Sequence, residues 1–215
     1  SMTKPIVSVA LMQLWEAGKF KLDDPIDKHL SEFSNPTIFI EDEIVAAKKP
    51  LQVIDLLRHS SGYSYGRTPS PRLDSIYSAA DLNSSVNIRE FMEKLGQLPL
   101  QFEPGQDWQY GLSTNICGYI VEVLSGQPLD EYYEEHILAP LGMEDTHFQV
   151  PIDKVDRCTG GYSWEEDNGL SIVEPAEDNR YTRPVTLFNG GGGLVSTTFD
   201  YLKFCQMILD GGEFK

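Results

Sequence analysis

Basic residues and long apolar runs are both scarce in this sequence. Lysine and arginine total 17 against 33 aspartates and glutamates, which leaves a formal net charge of -16 over 215 residues. Such an acidic surface repels phosphate backbones and anionic lipid surfaces, so no nucleic acid or membrane-surface partner is expected. No apolar run approaches the roughly 20 residues that a membrane-crossing helix needs, so no transmembrane segment is expected either.

Cysteine and histidine are also sparse, with three and four residues. Cys117, Cys158 and Cys205 lie far apart, so they predict neither a Cys-x-x-Cys pair nor a dense disulfide framework. The histidines show no metal-ligand spacing. The Gly-x-Ser-x-Gly elbow of Ser-His-Asp hydrolases is missing, and the glycine run 190–193 lacks the spacing of nucleotide loops. No metal or organic cofactor is therefore expected.

The residues that are present indicate a folded, helix-rich protein. Hydrophobic residues make up 40% of the chain and charged residues 23%, which is typical of a globular domain with a core. Residues 61–87 show little periodicity and predict a long ordered loop, and 151–183 predicts a polar region with one or two short strands. The predicted helices cover 1–18, 51–58, 88–100, 112–126, 129–143 with a stop before Pro140, and a last segment capped by Ser196 or Thr197.

The opening helix carries a Ser-x-x-Lys motif. Ser1 and Lys4 lie three residues apart, so on a helix their side chains share one face, about 5–6 Å apart at Cβ. A serine hydroxyl becomes a good nucleophile when a base takes its proton, and a neutral lysine amine is such a base. The positive end of the helix dipole favours the neutral amine here. An N-cap serine beside a solvated lysine, or a tag remnant before an unrelated start, is the ordinary alternative for an isolated motif.

Six segments, in order along the chain, resemble one family of enzymes. They are SMTKPIVSVALMQLWEAGKFKLDDPI, LLRHSSGYSYG, PGQDWQYG, VEVLSG, LAPLGMEDTHF and GGGLVSTTFDYLKFCQMILDGGE. With these segments the chain resembles the class C β-lactamase-related serine hydrolases, and among them the family VIII carboxylesterases most. The resemblance covers nearly the whole chain. It implies an α+β fold of the serine β-lactamase and penicillin-binding-protein type, present here mainly as its helical lobe with few strands.

The resemblance also implies the catalytic residues. Ser1 is the expected nucleophile, Lys4 its base, and Tyr110, in Tyr110-Gly111-Leu112, a second base over the nucleophile. A phenol with an ordinary pKa near 10 serves as a base when a neighbouring ammonium stabilises its phenolate. A rival match is Ser113-Thr114-Asn115, which spells the Ser-x-Asn of other penicillin-interacting enzymes, unless Ser113 or Thr114 only caps the following helix. His59 is expected in a structural turn, not in a catalytic triad.

Three residues are predicted to contact the substrate: Leu112, Trp108 and Tyr63. Leu112 stands where related β-lactamases carry an asparagine that hydrogen-bonds the substrate amide. A site that depends on that bond would lose about 1–3 kcal/mol, so Leu112 favours an ester over a β-lactam. Trp108 and the aromatic loop with Tyr63 and Tyr65 are candidates for the acyl or alcohol pocket, with core packing as the equal alternative.

The domain organisation is predicted from the same resemblance. It implies one partial β-lactamase-related domain over 1–215, without the flanking sheet strands. Its parts are a nucleophile helix at 1–18, a helical lobe with a long loop over about 19–185, and a glycine turn and helix at 186–212. A third motif, whose strand supplies one oxyanion donor, is expected beyond Lys215, so the 215 residues alone are expected to be inactive.

The predicted function is a serine hydrolase that cleaves small esters through an acyl-enzyme on Ser1. Hydrolysis of a β-lactam or of a D-Ala-D-Ala peptide is the first alternative, and a non-catalytic relative that binds a ligand is the second. The partner is a small-molecule ester or a β-lactam-like substrate. The cytoplasm and the periplasm both stay open as compartments, and the oligomeric state stays open as well.

Overall fold

The structure, a computed structural model, describes residues 1–213. Over this range the chain is rich in helix and poor in strand, which confirms the predicted mixture. The α-helices are α1 (Thr3–Glu16), α2 (Val53–Leu57), α3 (Pro71–Ala79), α4 (Ile88–Leu95), α5 (Ser113–Ser125), α6 (Leu129–Tyr133), α7 (Ala139–Leu141) and α8 (Thr198–Leu209). The strands are β1 (Thr37–Ile40), β2 (Glu43–Ala46), β3 (Gly161–Glu165) and β4 (Gly169–Glu174). None of the helices within residues 1–213 combines the length and apolarity of a membrane span.

Helix ends follow the predicted signals where a residue forces them. Gly18 and Gly126 take positive φ angles of 71° and 76° just after α1 and α5, a conformation that costs glycine little. Thr197 caps α8, because its side chain accepts a hydrogen bond from the Asp200 amide at 3.2 Å. Of the two predicted caps, Thr197 is therefore confirmed and Ser196 is not.

Two elements depart from the predictions. The segment 61–87 is not a loop throughout, because α3 lies inside it, with Ser70 as its N-cap and Pro71 as its first residue. The helix predicted over 129–143 does not stop before Pro140: a π-helical turn, Glu134–Leu138, follows α6 and leads into α7. Pro140 lies in the first turn of α7, where a missing N–H costs no hydrogen bond.

The chain divides into two compact units, of which the first comprises Ser1–Ile137 and Leu187–Gly192. Its central element is α5, which packs against α1, α2, α4 and α6. Burying a leucine or isoleucine side chain stabilises the folded state by about 1.5–3 kcal/mol, so this cluster is the main source of stability of the unit. Its fully buried members include Val7, Ala10, Leu11, Val53, Leu56, Met92, Leu95, Ile116, Ile120, Val121 and Leu129.

A tight hairpin belongs to the same unit. β1 pairs with β2 in antiparallel register from Thr37↔Ala46 to Ile40↔Glu43. The two connecting residues, Glu41 and Asp42, have φ angles of 49° and 65°, as a two-residue hairpin turn requires. β1 is also hydrogen-bonded to the chain at Leu100, whose amide donates to the Thr37 carbonyl at 2.7 Å.

The second unit comprises Leu138–Thr186 and Gly193–Lys215. It contains the predicted strands of the polar region, β3 and β4, paired antiparallel with an irregularity at Gly161 and Tyr162. Asp200 of α8 organises its loops, since its carboxylate accepts from the Asp145 amide at 2.7 Å and from the Thr146 hydroxyl at 3.2 Å. The second unit has fewer buried apolar side chains than the first, and the contacts of Asp200 join α8 to the segment at Asp145 and Thr146.

Candidate active site

The site begins at the N-terminal end of α1, where Ser1 lies two residues before the helix and Lys4 lies in its first turn. The Lys4 Nζ donates a hydrogen bond to the Ser1 Oγ at 3.2 Å. Lys4 is only 9% exposed, so its amine is held among other residues instead of being solvated. An N-cap serine with a solvated lysine, the ordinary alternative for this motif, does not describe these two side chains.

Tyr110 reaches the same serine from a distant part of the chain. Its Oη donates to the Ser1 Oγ at 2.6 Å, 109 residues away in sequence. The segment that carries Tyr110 is fixed to the turn after α2, because the Gln109 amide donates to the His59 carbonyl at 2.9 Å. The phenol therefore closes over the Ser1–Lys4 pair.

A backbone carbonyl completes the surroundings of the lysine. The Lys4 Nζ donates to the Gly191 oxygen at 2.5 Å, and this bond is buried. The hydrogen-bond partners of the amine are the Ser1 hydroxyl, the Gly191 carbonyl and the Tyr110 phenol, and none of them is a carboxylate. The amine is thus oriented without being locked to a carboxylate as an ion pair.

The electrostatics of the site favour the phenolate of Tyr110. The hydrogen bonds with Ser1 and Lys4 and the charge of Lys4 lower the pKa of the Tyr110 phenol from its ordinary value of 10.0, although partial burial opposes them. The Lys4 Nζ lies 4.9 Å from the centre of the Tyr110 ring. A larger fraction of Tyr110 is therefore ionised near neutral pH than of an ordinary tyrosine.

His59 and two aromatic residues surround Tyr110. The His59 ring lies 5.1 Å from the Tyr110 ring, and its backbone takes a left-handed φ of 55°. Burial, and then the charge of Lys4, lower the pKa of the His59 imidazole. Tyr65 and Trp108 flank the phenol at 5.7 and 6.5 Å between ring centres. His59 occupies the structural turn expected of it and also contacts the site.

The residues predicted to bind substrate are placed differently from one another. Trp108 is 63% exposed beside Tyr110, as a substrate contact requires. Tyr63 is 1% exposed and packs edge-on against Phe33, so the prediction that it contacts substrate is wrong, and it belongs to the core. Its neighbour in the loop, Tyr65, is the exposed ring at the site. Leu112 is buried at the start of α5.

The rival Ser-x-Asn match lies inside α5. Ser113 and Thr114 do not cap this helix: its N-cap is Leu112, without a side-chain cap, so the capping prediction is wrong. The Ser113 Oγ pairs instead with the Ser61 Oγ at 2.8 Å in the core. The residue that sequence reasoning missed is Gly191, the carbonyl partner of Lys4. The glycine run 190–193 was its only signal.

Comparisons with known proteins identify the family of the chain. Residues 1–214 match the family model described as Beta-lactamase. The Esterase EstB of Burkholderia gladioli is 33% identical over 97% of this chain and 55% of that protein. A Putative D-alanyl-D-alanine carboxypeptidase of Escherichia coli (strain K12) is 28% identical over 95% of this chain and 48% of its own length.

A solved structure gives the same result for the fold. EstCE1, described as a hydrolase with promiscuous acyltransferase activity, matches 99% of this chain and 58% of its own with a TM-score of 0.79 and 25% identity. The chain spans about half the length of the curated relatives it matches. These matches confirm the predicted α+β fold of the serine β-lactamase and penicillin-binding-protein type. The chain belongs to the beta-lactamase family, whose members similar to it include esterases, acyltransferases and carboxypeptidases.

Proposed function

We propose that the protein is a serine hydrolase that cleaves small esters, with Ser1 as nucleophile and Lys4 and Tyr110 as its bases. The observation that carries the proposal is the meeting of three side chains on one oxygen. The Ser1 Oγ lies 3.2 Å from the Lys4 Nζ and 2.6 Å from the Tyr110 Oη, both within reach of direct proton transfer. No metal or organic cofactor is part of the proposal.

The first half of the reaction forms an acyl-enzyme. The Ser1 oxygen bonds to the carbonyl carbon of the ester while its proton passes to the phenolate of Tyr110 or to the neutral amine of Lys4. The tetrahedral intermediate then expels the alcohol, which takes up that proton as its bond to carbon breaks. The lowered pKa of Tyr110 supports this step, because the phenol gives up its own proton before it accepts that of Ser1.

The second half of the reaction releases the acid. A water molecule attacks the acyl carbon, its proton goes to the same base, and the bond to the Ser1 oxygen breaks as that oxygen is protonated again. An alcohol in place of water would give acyl transfer. This is the activity named for EstCE1, beside hydrolysis, and it is a reaction of the same intermediate.

Two observations favour esters as the substrate class. EstB, an esterase by name, is among the relatives. The exposed rings of Trp108 and Tyr65 on either side of Tyr110 form an apolar wall, suited to an acyl or alcohol group of moderate size.

Competing substrates test the proposal in the protein as encoded in full length. We expect turnover of p-nitrophenyl butyrate with a kcat/KM well above that for nitrocefin, and loss of both activities in Ser1→Ala. A preference for nitrocefin, or for a D-Ala-D-Ala peptide, would replace the ester proposal by its first alternative. Labelling of Ser1 by a fluorophosphonate without turnover of any substrate would favour a ligand-binding relative.

A further inference from the structure

The base of the proposed reaction depends on a carbonyl that is remote in sequence. The Gly191 oxygen accepts from Lys4 across 187 residues. Its peptide is fixed on the amide side as well, because the Gly191 N–H donates to the Asn189 Oδ1 at 2.8 Å. The position of Gly191 therefore decides where the amine of Lys4 lies.

The glycine run is held against the first turns of α5. A Cβ added at Gly190 would lie 2.6 Å from the Thr114 carbonyl oxygen and 3.0 Å from the backbone of Gly118. Real Cβ atoms do not approach backbone so closely, so Gly190 and Gly118 pack backbone to backbone. Gly190, next to Gly191, is therefore packed directly against α5.

Asn115 fills the space next to Gly191. Its side chain is 2% exposed, and a Cβ added at Gly191 would collide with the Asn115 Oδ1. Within residues 1–213 that oxygen accepts no hydrogen bond from a protein group, so hydrogen bonding of this atom does not explain why a polar side chain is buried here. The Asn115 side chain does contact Gly191, whose carbonyl accepts from Lys4.

We infer that Asn115 and Gly191 are a positioning pair for Lys4: the asparagine side chain supports the Gly191 peptide from behind, so that its carbonyl points at the amine. Neither residue touches the reacting atoms, and both act through Lys4. The inference depends on the proposed function of Lys4 as a base. It adds two positioning residues to the three side chains that meet at Ser1.

A matched pair of glycine substitutions tests the inference. Gly191→Ala forces a methyl group into Asn115, whereas a Cβ at Gly192 meets nothing within 4 Å. A displacement of the base by about 1 Å costs about 10²-fold in rate, so we expect Gly191→Ala to lower kcat by about that factor with little change in KM, and Gly192→Ala to keep normal kinetics. Equal kinetics in the two variants would overturn the inference.

A double variant tests whether Asn115 is the residue with which the new methyl group at position 191 collides. Removal of the Asn115 side chain makes room for the new methyl group, so Gly191→Ala combined with Asn115→Ala should regain activity over Gly191→Ala alone. The double variant should reach the level of Asn115→Ala, which we expect to lose less than Gly191→Ala because no collision occurs. A double variant as inactive as the single one, and equally well folded by circular dichroism, would contradict the inference.

Asn115→Asp provides a test if Gly191→Ala does not fold. A carboxylate beside the Lys4–Gly191 contact disfavours the negative charge of the nearby Tyr110 phenolate, so the acid limb of the pH profile of kcat/KM should move to higher pH. The other titratable groups facing Lys4, which are Tyr110, Tyr65 and His59, are unchanged in this variant. Asn87→Asp, at the N-cap of α4, is the control. An unmoved acid limb would count against the positioning role.

Failure of this inference is distinguishable from failure of the proposed function. If a fluorophosphonate does not label Ser1, the proposed function fails, whatever the glycine variants do. If Ser1 is labelled and turns over esters but Gly191→Ala behaves as Gly192→Ala does, only the positioning role of Asn115 and Gly191 fails.

Discussion

Lysine side chains are placed differently in the two units of the protein. In the first unit, the Lys4 amine is hydrogen-bonded to the Ser1 hydroxyl, the Gly191 carbonyl and the Tyr110 phenol, and none of these is a carboxylate. In the second unit, Lys154 also donates to a backbone carbonyl, that of Glu144 at 2.6 Å, but it meets the Asp145 carboxylate at 3.0 Å as well.

The difference matches the proposed roles, in which Lys4 takes part in the reaction and Lys154 has a structural role. A carboxylate next to an ammonium stabilises the charged form and makes the amine a poor base. The Lys4 amine is oriented by hydrogen bonds without a carboxylate partner. The two lysines therefore differ in the charge of their partners, although each donates to a backbone carbonyl.

The largest difference in activity is expected between the variants Lys4→Met and Lys154→Met. Methionine keeps much of the side-chain volume and removes the amine. We expect Lys4→Met to lower kcat/KM for p-nitrophenyl butyrate by about 10²–10⁴-fold, because a general base is lost, and Lys154→Met to leave it close to normal. Steady-state kinetics of the two variants measure this difference, and equal losses of kcat/KM would contradict the different roles of the two lysines.

The next effect concerns the phenol. Tyr110→Phe keeps the ring against His59 and removes the Oη that meets Ser1, so we expect a loss of about 10²-fold or more in kcat/KM. If the phenolate of Tyr110 is the base, activity of the native protein should rise as pH rises. Because the pKa of Tyr110 is lowered, the midpoint of this rise should lie below pH 10.0. Tyr162→Phe, on the exposed face of β3, is the control. A pH profile unaltered by Tyr110→Phe would argue against a phenolate base.

A third effect compares the packing of the two units. Ile116 in α5 is fully buried, whereas Ile172 in β4 is largely exposed. We expect Ile116→Ala to lower the free energy of unfolding by about 2–5 kcal/mol. Ile172→Ala should change it by no more than about 0.5 kcal/mol. Urea denaturation of both variants gives these values, and a cost at Ile172 equal to that at Ile116 would show that the hairpin face is packed in solution.

The smallest effect concerns the ion pairs of the second unit. Hydrogen bonds from Arg157 and then Lys154 hold the pKa of Asp145 well below its ordinary value of 3.8. A carboxyl group with a lowered pKa stabilises the fold above its unfolded pKa, and this contribution is lost as pH falls through the folded pKa. The melting temperature of Asp145→Asn should thus lie slightly below that of the native protein at pH 7, with a gap that shrinks below about pH 4 and in 1 M salt. A gap that is constant with pH would contradict the ion-pair explanation.

Local signals predicted much of the fold. Apolar spacing with a terminal glycine found α1 and α5, and a threonine before an apolar run found the cap of α8. The helix α3 was missed because its apolar residues are few, although Ser70-Pro71 is an N-cap and first-turn pair. The predicted stop before Pro140 was wrong because a π-helical turn precedes this proline and changes which N–H groups need a partner. No local sequence pattern predicts such a turn.

The site was predictable only in part. Ser1 and Lys4 share one turn, so their spacing predicts their contact, and Tyr110 was found through a resemblance to a family. The burial of Tyr63 and the exposure of Tyr65, two residues apart, depend on which side of the loop packs on Phe33. Gly191 contacts Lys4 from 187 residues away, a pairing that only the folded chain reveals.

The measurement that tests the central claim most directly is the mapping of the acyl group by mass spectrometry. The protein as encoded in full length is mixed with p-nitrophenyl butyrate, quenched in acid during turnover, digested and sequenced by fragmentation. We predict a butyryl group on the Ser1 oxygen of the peptide that begins α1, and none in Ser1→Ala. A butyryl group on another side chain that accounts for turnover, with Ser1 unmodified, would contradict the account.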